Sequence, residues 1–297
     1  MMATMMARQR IALVLTAGAT LAVAPVGVAA TAADRAAATR AATWLAGEQP
    51  GTLPAGQQAD VMVDMRITGT TPRTLAPRLA ALAKAAPGYA TEAGRTAKVI
   101  LGTVAAGGNP RRLGGTDYLA RLASQQSSPG RYGKTAFDQG LAMLALRAAT
   151  GRVPAAAAGV VTGAATADGW NLGLDAAGEP DVDSTALSVV ALRAAGTPCS
   201  TGPIRSARAW LATQRTGGGW TAYPGSPPSA NSTALVARAD IACGASAAGA
   251  LALIRSLQQR SGAIAFTRAQ PESRLLATSE SVPPLAGVSL ARGLRPG

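Results

Sequence analysis

The chain has 297 residues, 48% of them hydrophobic but only 3% aromatic, so Ala, Leu and Val must build its core. Its net charge is +13 at pH 7, carried almost wholly by Arg, and it contains no His, which removes Ser-His-Asp and Cys-His hydrolysis. The arginines are scattered, with no aromatic-basic stripe and no helix-turn-helix or zinc-finger spacing, so the charge argues for loose attraction to acidic surfaces and against nucleic acid.

The N-terminus is patterned as an export signal over residues 1–32. Arg8 and Arg10 precede an apolar run from Ile11 to Ala24, and small residues follow. Val28-Ala29-Ala30 and Ala30-Thr31-Ala32 are the two candidate cleavage sites. Pro25 and Gly27 interrupt the run, which favours cleavage over a membrane anchor. No later stretch is long and apolar enough to span a bilayer. The mature chain is therefore expected to be secreted or extracytoplasmic, with no stable membrane span.

Downstream, one complex pattern recurs. Trp44-Leu45, Gln49 and Asp60 look like a first unit, and residues 76–106 a second, turning at Gly88-Tyr89. A third runs from Tyr118-Leu119 through Gln125-Gln126 and Gly130-Arg131-Tyr132 to Phe137-Asp138. The fourth has Asp168-Gly169-Trp170, a loop, then Asp183-Ser184-Thr185 opening an apolar run. Its sister has Trp210-Leu211, Gln214, Gly219-Trp220, a Pro-rich loop and Asn231-Ser232-Thr233. A degenerate unit ends on Phe266 and Ser273-Arg274-Leu275-Leu276. Helix starts at Asp138, Asp183, Asn231 and Ser273 lie 45, 48 and 42 residues apart. That period suits two helices and two connections, about six such units in all.

Each unit has a physical logic. Leu187, Val190, Ala191 and Ala194 follow at helical spacing, and Ala throughout favours helix. Asp183 and Asn231 are expected to cap their helices by accepting free N–H groups. Tyr132, Trp170, Trp220 and Tyr223 lie near the turns, where they either lock the hairpin ends or stack on a ligand. The two cysteines, Cys199 and Cys243, follow equivalent points in neighbouring units. In an exported chain that predicts a disulfide; two buried thiols are the alternative.

Trp-Leu, Gln, Gly-Trp and Asp/Asn-Ser-Thr-Ala-Leu together resemble the repeat of squalene and terpene cyclases and protein prenyltransferase β-subunits. The resemblance covers roughly residues 34–280 and implies an all-α fold. It is an α/α toroid of about six helical hairpins, six inner helices ringed by six outer ones around a cavity. The toroid would fill residues 33–282, leaving 283–297 as a C-terminal tail. The class II cyclases of this family protonate their substrate with the central Asp of Asp-x-Asp-Asp. Asp181-Val182-Asp183-Ser184 matches the first two acidic positions, so the resemblance makes Asp183 a candidate acid tuned by Asp181. The last position departs from the motif, and the aromatics that stabilise carbocations are scarce. The zinc of the prenyltransferases needs a His that this chain lacks, so neither metal nor cofactor is expected. Complement-type thioester domains share such toroids, but Cys243 is followed by Gly244-Ala245-Ser246 and not by Gly-Glu-Gln.

The leading expectation is therefore a non-catalytic binding or interaction module. Its ligand would be a bulky apolar or amphipathic small molecule of isoprenoid class, or of corrinoid class by likeness to the toroids of cobalamin carriers. A reduced terpene cyclase or prenyltransferase using Asp183 is the alternative, and a purely structural repeat that binds protein is a third.

Overall fold

A computed structural model of the protein describes residues 30–272, 274–292 and 294. Residues 1–29, which hold most of the expected export signal, and Ser273, expected to open the last helix, lie outside them. Among the described residues are twelve helices and one minimal β-hairpin.

The chain alternates between two concentric layers. The inner layer is α2 (Ala55–Ile67), α4 (Ala93–Ala105), α6 (Ala136–Thr150), α8 (Val182–Ala194), α10 (Ala230–Ala242) and α12 (Leu275–Leu285). Each packs on the next, and α12 closes onto α2. The outer layer is α1 (Ala32–Ala46), α3 (Pro72–Tyr89), α5 (Tyr118–Ser124), α7 (Ala155–Gly163), α9 (Gly202–Thr213) and α11 (Ala248–Ser256). β1 (Gln126–Ser128) and β2 (Arg131–Tyr132) form the hairpin that leads into α6. The protein is an all-α toroid of six helical hairpins.

Residue patterning decides the layer. α9 buries only Ile204, Ala207 and Leu211, one narrow stripe, as an outer helix should. In α8 every residue from Ser184 to Leu192 is buried, because neighbours surround it. Small residues permit this crowding. A Cβ on Gly102 of α4 would fall 2.8 Å from the Ala59 Cα of α2, and one on Gly140 of α6 would fall 2.8 Å from Leu187 of α8.

The helix starts differ from expectation by two residues. Asp181 caps α8, accepting the Ser184 N–H at 2.7 Å, and Ser229 caps α10, accepting that of Ser232 at 3.2 Å. Asp183 and Asn231 sit inside the first turn. A cap needs extended backbone and a side chain reaching the third residue onward, and Asp181 and Ser229 have both. Thr135 caps α6 in a capping box with Asp138. Asp60 likewise lies within α2, and the turn expected at Gly88-Tyr89 falls just beyond α3.

Four residues past each of these caps stands a buried hydroxyl or amide that grips the preceding turn. Thr185 accepts the Trp170 N–H at 3.0 Å and donates to its carbonyl at 2.9 Å. Thr233 does the same for Trp220 at 3.0 and 3.4 Å. Gln139 holds Tyr132 and Gly130 at 2.7 and 2.9 Å, and Thr278 receives Ile264 at 2.8 Å. This contact explains the turn glycines. A Cβ on Gly169 or Gly219 would fall 2.5 Å from the gripping Thr Oγ1.

The expected boundaries move outward at both ends. Thr31 caps α1 in a capping box with Asp34, so the fold begins at 31 and not 33. α12 runs to Leu285, and Leu290, Ala291 and Leu294 are buried beyond it. Leu290, Ala291 and Leu294, in the stretch expected as a tail, therefore belong to the core. Cys199 and Cys243 form the expected disulfide, with Cα atoms 5.7 Å apart, linking the connections after α8 and α10.

Candidate functional site

At the centre of the toroid is a cavity of about 250 Å³, to which all six inner helices contribute. Its wall has two characters. Leu141 and Leu144 of α6, Leu187 of α8 and Leu235 of α10 make one side apolar, and Leu290 joins them from beyond α12. Asp60 and Asp64 of α2, Lys98 of α4, Arg238 of α10 and Ser279 and Glu280 of α12 make the other side polar. Phe137 is the one aromatic in the lining.

Helical spacing explains the polar side. Asp60 and Asp64 are four apart and so share a face of α2. Lys98 holds Asp60 at 2.6 Å, and Arg238 holds Glu280 at 3.1 Å. Ser279 donates its hydroxyl to Asp64. Burial opposes the charge on Lys98, but the adjacent Asp60 carboxylate outweighs it and raises the ammonium above its ordinary range. Burial pushes Asp64 well above the usual carboxylate range, against the opposing Ser279 bond and with the help of Asp60 and Glu280. Asp64 thus keeps its proton most readily. With it protonated, two cations face two anions and the cavity is balanced. Arg238 is only 5% exposed, yet its Nε–H has no protein partner, so it retains donor capacity toward the cavity.

The residues expected from sequence lie elsewhere. Asp181 is spent on the α8 cap. Asp183 is not among the residues lining the cavity. One of its carboxylate oxygens is buried without a partner. Burial raises its pKa to about 6, the Ser232 hydroxyl opposing and the charges of Asp181 and Glu280 adding.

The expected aromatic stackers lie outside the central cavity. Trp170 is fully buried and its indole donates to the Val161 carbonyl at 2.6 Å; Trp220 donates to that of Leu211 at 2.7 Å. Arg215 covers the Trp220 ring, 5.7 Å from its centroid. Tyr132 is buried under the β-hairpin. None of these rings lines the central cavity, because the turns fold them between inner and outer helices. Tyr223 is 71% exposed on the Pro-rich loop, also away from the cavity. Among the described residues no cluster of His, Cys, Asp and Glu is arranged to hold a metal ion.

Sequence reasoning missed the polar quintet of Asp60, Asp64, Lys98, Arg238 and Glu280. These residues form no local motif. The available signal was register: Asp60, Lys98 and Glu280 each stand six residues past the caps Pro54, Glu92 and Arg274, where α6, α8 and α10 carry leucine.

The fold and this cavity define the class: a closed α/α toroid with an amphipathic centre. Among solved structures, the chain is similar to a variant of the type II terpene cyclase MstE from Scytonema in complex with its substrate geranylgeranyl dihydroxybenzoate. Identity is 14% and the TM-score 0.62, over 87% of this chain and 98% of that one. It is also similar to a glycosidase variant in complex with glucose, at 13% identity and a TM-score of 0.55, over 88% and 98% of the chains. A wild-type glycosidase gives 12% and 0.54, over the same shares. At such identities the likeness is one of fold. No protein-family model matches the sequence, and no curated protein is similar to it in sequence.

Proposed function

We propose that this is an exported binding protein that holds a small amphipathic molecule in its central cavity without transforming it. The observation that carries this reading is the divided wall: leucines on α6, α8 and α10 face two ion pairs and the buried Asp64 carboxyl on α2, α4, α10 and α12. A ligand with an apolar body and a head that both donates and accepts hydrogen bonds matches both sides. At about 250 Å³ the cavity sits at the lower edge of the usual ligand pockets, roughly 300–1,000 Å³. A short isoprenoid suits that space better than a C20 chain, and a corrin ring does not fit it.

Two further features support export. The Cys199–Cys243 disulfide suits an oxidising compartment. Thr31 caps the first helix, so cleavage after Ala30 preserves the fold's first bonds, whereas cleavage after Ala32 removes them.

Native mass spectrometry of the full chain purified from its own host tests the binding reading. A retained small molecule that is lost in Leu187→Trp, which fills the cavity, is the expected result. Retention by the filled variant, or an empty wild type that also fails to take up short isoprenoid alcohols, defeats it.

One observation favours a second, catalytic reading: Asp183 has an unpartnered buried oxygen and a pKa of about 6, properties of a general acid. Under that reading Asp183→Asn keeps the fold and abolishes product formation from an isoprenoid alkene. Under the binding reading the same variant keeps its ligand.

A further inference from the structure

One end of the toroid is strongly basic, whereas the other carries charges of both signs. α2, α6 and α8 each carry an Arg in the last turn at one register, twelve residues past the caps Pro54, Thr135 and Asp181: Arg66, Arg147 and Arg193. Each guanidinium donates to the carbonyl four residues on, at 3.4, 2.5 and 2.5 Å. The outer helices that follow begin beside exposed Arg73, Arg152 and Arg205. The connections 68–71, 151–154, 195–201 and 243–247 at this end contain no Asp or Glu. The acids at this end, Asp34, Asp117 and Asp240, are paired with Arg255, Arg111 and Arg208. At the opposite end the single connection 164–181 holds Asp168, Asp175, Glu179 and Asp181.

The chain also enters at the arginine end. Ala30 lies against Gly287, just past the C-terminus of α12, where a Gly287 Cβ would fall 3.2 Å from it. The apolar run Ile11 to Ala24 precedes that point in sequence. Leu276, half-exposed at the N-terminal end of α12, lines the cavity on the far side.

We infer that the arginine end docks on an anionic phospholipid surface. Guanidinium groups fork onto phosphate oxygens, and each basic residue held at an anionic bilayer strengthens attachment by about fivefold. The inference stands apart from the cavity reading, since no residue is shared between the two.

Sedimentation of the full chain with vesicles tests it. The vesicles contain phosphatidylglycerol mixed into phosphatidylcholine, or phosphatidylcholine alone. The triple variant Arg73→Gln, Arg152→Gln, Arg205→Gln is expected to lose affinity for the anionic vesicles by about a hundredfold. The control Lys134→Gln, Arg260→Gln, Arg268→Gln removes the same charge from exposed sites at the opposite end and is expected to lose less than about threefold. All six side chains are exposed, and an unchanged unfolding midpoint verifies each fold. Equal losses in the two variants overturn the inference, as does equal binding of the wild type to neutral vesicles. Tighter binding to soluble polyphosphate than to vesicles also overturns it, by assigning the end to a polymer.

Discussion

Thr185 and Thr233 fix the turns that carry the buried tryptophans. Each satisfies both backbone groups of a buried turn residue. Thr185→Val removes the hydroxyl at nearly constant volume and leaves the Trp170 N–H buried without a partner, while the Trp170 carbonyl keeps the Asp181 N–H at 2.9 Å. It is expected to cost about 2–3 kcal/mol in denaturant unfolding. Asp181→Ala removes only a cap and is expected to cost about 1 kcal/mol. Asp183 behaves in the opposite sense. Its folded pKa of about 6 lies above the ordinary 3.8, so ionisation disfavours the folded state. Below pH 4 both states are protonated and Asp183 costs nothing. The cost grows between pH 4 and 6 and is complete above. Asp183→Asn is therefore expected to match the wild type at low pH and to exceed it by about 2 kcal/mol at neutral pH, allowing for partial exposure. Equal stability differences at pH 4 and pH 7 would show that the carboxyl is not the source.

Among the elements, α8 and α10 form the best defined pair. They share the Asp/Ser cap, the Thr grip and the Gly-Trp turn. Their ends are joined by Arg193, which donates to Ala242, and by the Cys199–Cys243 bridge. The bridge closes a sequence separation of 44. In the chain-entropy model that contributes about 4 kcal/mol, so Cys199→Ser with Cys243→Ser is expected to lower the unfolding free energy by that order. Both helices were legible as repeats because their motifs are contiguous. The first units were legible only in outline, because Gln58 and Thr96 stand where α8 and α10 have Thr185 and Thr233, and neither belongs to an Asp/Asn-Ser-Thr triplet. Arg78, which spans from α3 to the Ala46 carbonyl at 2.9 Å and to Gln58 at 3.3 Å, braces that region by a contact with no sequence signature.

For the whole molecule, closure of the ring creates the site. The Ser279 hydroxyl reaches Asp64 across the closure from α12 to α2, 215 residues apart in sequence, and Leu290 lines the cavity from beyond the last helix. Leu290→Ala is expected to cost about 2–3 kcal/mol and to loosen ligand retention, read as unfolding midpoint and native mass. The strongly basic end belongs to this scale too. It depends on every inner helix running the same way, which follows from six hairpins with an outer helix returning between each pair.

The sequence by itself determined the class of fold, the hairpin count, the disulfide and the turn chemistry. Those follow from local periodicity, capping and a repeated motif, all read within one unit. It misplaced the caps by two residues, because Asp-x-Asp and Ser-x-Asn each offer two candidates and only backbone conformation chooses between them. Only the tertiary structure decided which polar groups share the cavity. Asp60, Asp64, Lys98, Arg238 and Glu280 come from four helices, and their meeting depends on ring closure and relative register, which no single stretch of sequence encodes. The same architecture turned the rings of Tyr132, Trp170 and Trp220 away from the centre and left one end strongly basic.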